Sequence, residues 1–261
     1  MLSGTRAALV AMLLCDTLVA QADGVSVDVA LKRFRASLAA ASDAHDRLTA
    51  FQALENETRD GGKGQASRGV AEALAMGLED ADPDLLDLAI RALEGRHEPT
   101  AVRALSEFIS SQGIEIRRIA GTVVGLPLYE ALKEPSQRFS AACEVLSTYL
   151  SPEGCAAVLR ELRLFDDQSV GWFSLIPCRL ALIDATLRHG CRDGFEEVVR
   201  HLGCRTLKAQ RSYTVDVHLR LRRVCLDLEL EPVGFPEDIV GAWREWLRRN
   251  ESKLPHCRNR K

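Results

Sequence analysis

Apolar residues recur along this chain at helical spacing. Leu85, Leu88, Ala89, Ala92 and Leu93 fall on one face of the stretch 84–94, and Ile239, Ala242, Trp243, Trp246 and Leu247 do the same near the end. Proline marks where such stretches begin. Pro83, Pro99, Pro127, Pro135, Pro152 and Pro236 are read at or near the first turn of a helix, where the missing N–H costs nothing. Ser151-Pro152-Glu153 adds an N-cap and an acid facing the helix dipole.

One stretch follows a different period. From Tyr213 to Leu221, and again from Val224 to Leu230, apolar and polar residues alternate, which is a strand signal. Wound as a helix, it has Val217, Leu221, Val224 and Leu228 on one side and Val215, Leu219 and Leu226 on the other. A helix wedged between two layers tolerates that arrangement. The helix is favoured because a lone hairpin has no sheet to join, and the hairpin stays open as the alternative.

Shifting the sequence by 31 positions places Leu85 on Ile116, Leu88 on Ile119, Ala89 on Ala120, Ala92 on Val123 and Leu93 on Val124. The intervening GRHEPTAVRALSEFISSQG reads as a further helix with a turn at each end. The unit is then a repeated antiparallel helix pair, which buries its apolar side only by stacking on the next pair. The strings DADPDLLDLAIRALEG, EPTAVRALSEFI and IEIRRIAGTVVGL resemble the HEAT-repeat family of α-solenoids. The ending GAWREWLRRNESKL is similar to the last helix of secreted bacterial HEAT-repeat proteins. The resemblance covers Lys63 to about Leu126 and implies an all-α, right-handed solenoid of stacked antiparallel helix pairs.

Composition agrees with helices. The chain has 261 residues, 46% hydrophobic and 27% charged, with only 5% aromatic. Those are values of a folded domain rather than of a disordered chain, and Leu and Ala favour helix over a β-sandwich. The net charge of −3 exerts no global pull on nucleic acid or anionic membrane. It is unevenly spread: residues 200–261 carry 14 Lys/Arg against 8 Asp/Glu, whereas 23–199 carry 19 against 28. An acidic body therefore runs into a basic end.

The first 22 residues read as an export signal. Arg6 precedes an apolar run, and Ala20-Gln21-Ala22 suits signal peptidase, so the mature chain is expected to begin at Asp23 as one domain over 23–261. Asp16 interrupts the run, and a cytoplasmic protein is the alternative. Cys15 could carry a lipid, but Leu14 stands where that signal wants a small residue. No later stretch reaches the roughly 18 apolar residues of a membrane span. Without Cys15 seven cysteines remain, an odd number, and the default reading is buried unpaired thiols. The first candidate for any disulfide is Cys178 with Cys204.

Motif-like strings fail their tests for chemistry. DGGKGQAS lacks the glycine six positions before Lys63 and the hydroxyl after it that a phosphate loop needs. Asp80, Asp82 and Asp84 suggest a calcium loop, but Leu85 and Arg91 stand where its glycine and bidentate acid belong. Asp82 as N-cap to Pro83 explains them better. Asp43, His45 and Asp46 form a surface cluster with no nucleophile. Asn56-Glu57-Thr58 and Asn250-Glu251-Ser252 match glycan acceptors, relevant only on a eukaryotic secretory route.

His189, Cys191, His201 and Cys204 raise the question of a metal. Arg188-His189-Gly190 and His201-Leu202-Gly203 read as helix endings, each glycine taking a left-handed turn and each histidine facing the dipole end. The segment Arg192–Leu202 is then a helix of roughly 16 Å, which separates the two His–Cys pairs too widely to share a zinc ion. No metal and no cofactor are expected, and no catalytic residue is assigned.

The expected function is a non-enzymatic scaffold for a protein partner of unknown identity, exported to the periplasm or medium. Arg244, Arg248 and Arg249 are the candidate basic binding surface. Two alternatives stay open. Some HEAT-like proteins are lyases that attach tetrapyrroles, which implies an enzyme. The other is nucleic-acid binding through the basic end, against which stand export and the scarcity of aromatics for base stacking.

Overall fold

A computed structural model describes residues 27–59, 68–94, 96, 98–123, 126–149, 151–166, 172–188, 191–203 and 211–254. The expected export signal, the DGGKGQAS string, and His189 and Cys204 lie outside the described residues. Within them every regular element is helical. The helices are α1 (27–40), α2 (Ala44–Arg59), α3 (Arg68–Ala75), α4 (Pro83–Ala92), α5 (Pro99–Thr122), α6 (Leu126–Thr148), α7 (Pro152–Asp166), α8 (Ile176–Arg188), α9 (Arg192–Leu202), α10 (Arg211–Asp227) and α11 (Ile239–Asn250). Among the described residues, no helix is long and apolar enough to cross a membrane.

The chain divides into two compact units, Met1–Ala101 and Val102–Lys261. In the first, α2 packs on α3 and α4. Its core includes Phe34 edge-on to Phe51 at 4.9 Å, with Leu54, Leu74, Leu85, Ala89 and Leu93 all buried. Pro83 is the first residue of α4, and Asp82 caps it by accepting from the N–H groups of Asp84 and Leu85. Asp80 accepts two bonds from Arg47, 2.8 and 3.1 Å long. The carboxylates of Asp80 and Asp82, two of the three acids in that string, thus have structural partners. Asp43 likewise accepts from the N–H of Asp46, and Asp46 accepts from Ser42, whose backbone N–H and hydroxyl hold the Asp46 carboxyl below its usual range.

In the second unit, α6 packs on α8 and α8 on α10, while α7 packs on α9 and α9 on α11; α8 also contacts α7 and α9. The core runs through Phe139, Leu146, Phe165, Leu182, Phe195 and Trp243. Ser151 caps α7 by accepting from the Gly154 N–H at 2.9 Å, as its sequence predicts.

Four expectations need correction. Gly113 does not end a helix: α5 runs unbroken over 24 residues, so the two repeat helices predicted on either side of it are one. The glycine serves a close approach instead. A Cβ there would come 2.5 Å from Glu161 Oε2 and 3.1 Å from Arg117 Nη1. Pro135 lies inside α6 rather than in a first turn. Gly203 has φ −80°, an ordinary right-handed conformation, so α9 ends without the left-handed turn. Finally, α10 is a helix, the favoured reading of the alternating stretch, but it is not wedged. Tyr213, Val217, Leu221 and Cys225 are buried, at i, i+4 spacing, while Leu219 and Leu226 are 46% and 62% exposed. One apolar stripe suffices to seat it, and the other faces solvent.

Candidate functional site

The small residues of α6 and α8 shape a groove within the second unit. Ser136, Ser140 and Ala141 from α6 face Ala181 and Ala185 from α8 across an open space of about 670 Å³. Short side chains at i, i+4 spacing on neighbouring helices leave a channel where long ones would interlock. Ion pairs cross between the helices that line it. Arg188 of α8 reaches Glu144 of α6 at 3.1 Å and the Ser147 hydroxyl at 3.3 Å, and Arg220 of α10 reaches Asp184 at 2.8 Å. Lys133 and the exposed Tyr129 also line the groove. Cys178 of α8 and Cys143 of α6 are free and buried. Burial pushes the Cys178 thiol up to about 11, against a smaller downward pull from the Ser136 hydroxyl, and pushes Cys143 well above its usual value. Neither thiol is a nucleophile at neutral pH. Cys225 is a free, buried thiol as well, in accord with the reading of buried apolar cysteines, and Cys155 is buried too.

The second polar constellation is sealed. His201 is fully buried; its Nδ1 contacts the Asp166 carboxylate and its Nε2 lies 2.7 Å from the Tyr213 hydroxyl. Asp166 also pairs with Arg200, which reaches Glu197, which in turn accepts from Arg163. Burial would raise the Glu197 carboxyl, but the two arginines outweigh it and hold the group below its usual range. The same acids raise the Arg200 guanidinium against the lowering effect of burial. The Asp-His-Tyr order resembles a proton relay in chemistry. Here, though, the ring is enclosed and ties the ends of α7, α9 and α10 together.

His201 stands in the last turn of α9, as its sequence position predicts, and the contacts with Asp166 and Tyr213 are what the sequence did not show. Cys191 does occupy the N-cap position of α9 without a side-chain capping bond, and it is disulfide-bonded. With its sulfur so committed and both His201 nitrogens engaged, these two side chains have nothing left for a metal. The α9 boundaries are those expected, Arg192–Leu202. The proposed pairing of Cys178 with Cys204 is overturned, because Cys178 is a free thiol. It sits in the buried interface of α6 and α8, which the linear order of helices does not reveal.

The candidate basic surface lies on α11, where the Arg248 and Arg249 side chains stay largely exposed. Arg248 and Arg249 both pair with Glu245, at 2.7 and 3.5 Å. A Cβ on Gly203 would meet Arg244 Nη2 at 2.8 Å, which places that guanidinium at the negative end of α9. Trp243 and Trp246 are buried beneath, as their spacing with Ile239 and Leu247 predicts. Trp246 lies 5.6 Å from Phe195 and donates to the Glu231 carbonyl at 2.6 Å. Of the glycan acceptors, Asn250 donates its Nδ2 back to the Trp246 carbonyl, and Asn56 is within α2.

The sequence reading found neither the groove nor the His201 network. Ser136, Ser140 and Ala141 carried a faint signal, small residues on a helix face that should bear large ones. No family model, no curated protein and no solved structure matches this chain.

Proposed function

We propose that the protein is a non-enzymatic binding scaffold that receives a segment of a partner protein in the groove between α6 and α8. The observation that carries this reading is the groove itself: open, lined by hydroxyls and small apolar groups, and bordered by ion pairs of both signs. Such a surface offers hydrogen bonds and shape to a peptide segment. Its lining includes no histidine, and the buried His201 is out of reach of solvent, so the scaffold fits better than a lyase-type enzyme.

The HEAT-like solenoid is part of this proposal. Packing of α6 on α8 on α10 beside α7 on α9 on α11 is the two-layer order that stacked helix pairs generate, which supports the reading. Export is proposed with it. The disulfide at Cys191 supports an oxidising compartment, since such bonds are rare in the cytosol.

The test fills the groove. Wild-type protein and Ala181→Trp, with Gln137→Trp as a second variant should the first fail to fold, serve as parallel baits for quantitative mass spectrometry. A partner held at least about tenfold more weakly by a folded groove variant, or about 1.4 kcal/mol, supports the proposal. Equal retention of every partner by both baits overturns it, as does turnover of a small molecule by the purified chain.

A further inference from the structure

We propose that the solvent-facing stripe of α10 is where two copies of this chain pair, helix antiparallel to helix, about a two-fold axis. α10 packs on α8 and α9 through Tyr213, Val217, Leu221 and Cys225, and it ends the row in which α6 packs on α8. The last helix of a stack needs a polar outer face to stand in water. This one is apolar. Leu219 and Leu226 are 46% and 62% exposed, and Phe235, which packs on Arg222 between them, is 66% exposed. Large apolar side chains gathered in this way mark a contact surface.

The spacing of the stripe fits a second helix. Val215, Leu219, Arg222 and Leu226 follow one another at intervals of 4, 3 and 4 residues, the period of a seam between paired helices. Arg222 belongs to the seam through its stem. Its guanidinium lies 4.8 Å from the centre of the Phe235 ring and donates to the Val233 carbonyl at 2.8 Å, so its charge is engaged within its own chain. Turned antiparallel, the seam matches itself. Val215 meets the partner's Leu226, Leu219 meets the partner's Arg222, and symmetry repeats each contact.

Charge selects the same arrangement. Asp216 and Arg223 flank the seam, both exposed and neither in an ion pair among the described residues. In the antiparallel register Asp216 lies across from the partner's Arg223, and the two-fold axis supplies a second such pair. Parallel pairing would set Arg222 against the partner's Arg222, which like-charge repulsion disfavours. A face whose apolar spacing and charges both complement a copy of itself fits that copy better than an unrelated chain. One helix pair buries a small area, so the dimer is weak and depends on concentration. The pairing stands whether or not the groove binds a segment of another protein.

Sedimentation equilibrium of the full chain at low salt, over about 1–300 μM, tests it. A reversible monomer–dimer equilibrium is expected, and Leu226→Lys should abolish it. Asp216→Arg and Arg223→Asp should each weaken the dimer about tenfold, and the two together should restore it to within about threefold. Both positions are exposed, so these variants keep the fold, which thermal melts check. A chain that stays monomeric throughout overturns the proposal and would leave the stripe to an unrelated protein. A dimer that the single reversals leave unchanged, or that the double reversal fails to restore, overturns it as well.

Discussion

The Trp243 indole N–H donates to Nδ1 of His218 at 2.9 Å, and both side chains are fully buried. An indole nitrogen can only donate, so Nδ1 must be the unprotonated nitrogen and the ring is held neutral. Burial lowers the His218 pKa below its usual 6.5, the Arg222 cation lowers it further, and the Gly234 backbone opposes both more weakly. The unfolded chain therefore binds a proton here at a pH where the folded chain does not. Stability from this residue is complete above about pH 6.5 and falls as the pH drops below it, until the folded ring also protonates. Urea titrations at pH 7.5 and 5.5 should show that loss. His218→Asn keeps an acceptor for the indole without a titrating ring, and should remove the His218 part of the difference; an unchanged difference would refute the account.

Trp243 itself anchors the last helix. Its ring packs on Trp246 at 5.4 Å and on His218 at 5.7 Å, with no exposure to solvent. Trp243→Ala should cost about 3–5 kcal/mol, read as a fall in the urea midpoint. A variant of unchanged stability would mean that α11 is not docked through this face.

Gly113 lies mid-helix, where alanine normally stabilises by up to about 1 kcal/mol. Here the opposite sign is expected. The added Cβ would press on Glu161 Oε2, which is 2% exposed and paired with Arg117 at 2.8 Å. Displacing a buried charge from its partner costs more than helix propensity returns. Gly113→Ala should destabilise by about 1–3 kcal/mol by chemical denaturation. A more stable variant would show that the pair moves aside freely.

Glu229 offers the reverse case. It closes α10 with φ 57°, its N–H bonded to the Leu226 carbonyl and the next N–H, of Leu230, to the Cys225 carbonyl. That is the Schellman ending, in which glycine takes the left-handed position without the Cβ clash. Glu229→Gly should raise stability by about 1 kcal/mol, visible in thermal melts. A loss of stability would show that the glutamate side chain contributes more than its backbone strain costs.

The sequence alone determined the local elements. Helical period, proline at Pro83, Pro99 and Pro152, and the caps at Asp82 and Ser151 depend on neighbours within one turn, and all appear where they were read. The buried Trp243 and Trp246 were legible for the same reason: a stripe on a helix reports which side turns inward. Tertiary structure decided what lies between helices. Gly113 looked like a stop because a glycine's local meaning is a turn; its actual cause is Glu161, 48 residues away in the chain. His201 was legible as a last-turn residue of α9, but Asp166 and Tyr213, which meet its two nitrogens, come from other helices. The alternation in α10 implied two buried faces, but only contact with α8 and α9 determines which face is covered. The groove, too, exists only because the small side chains of α6 and α8 come to face one another. Periodicity encodes a residue's side of its own helix, and the identity of the opposing helix is set by the sum of weak packing energies over the whole unit.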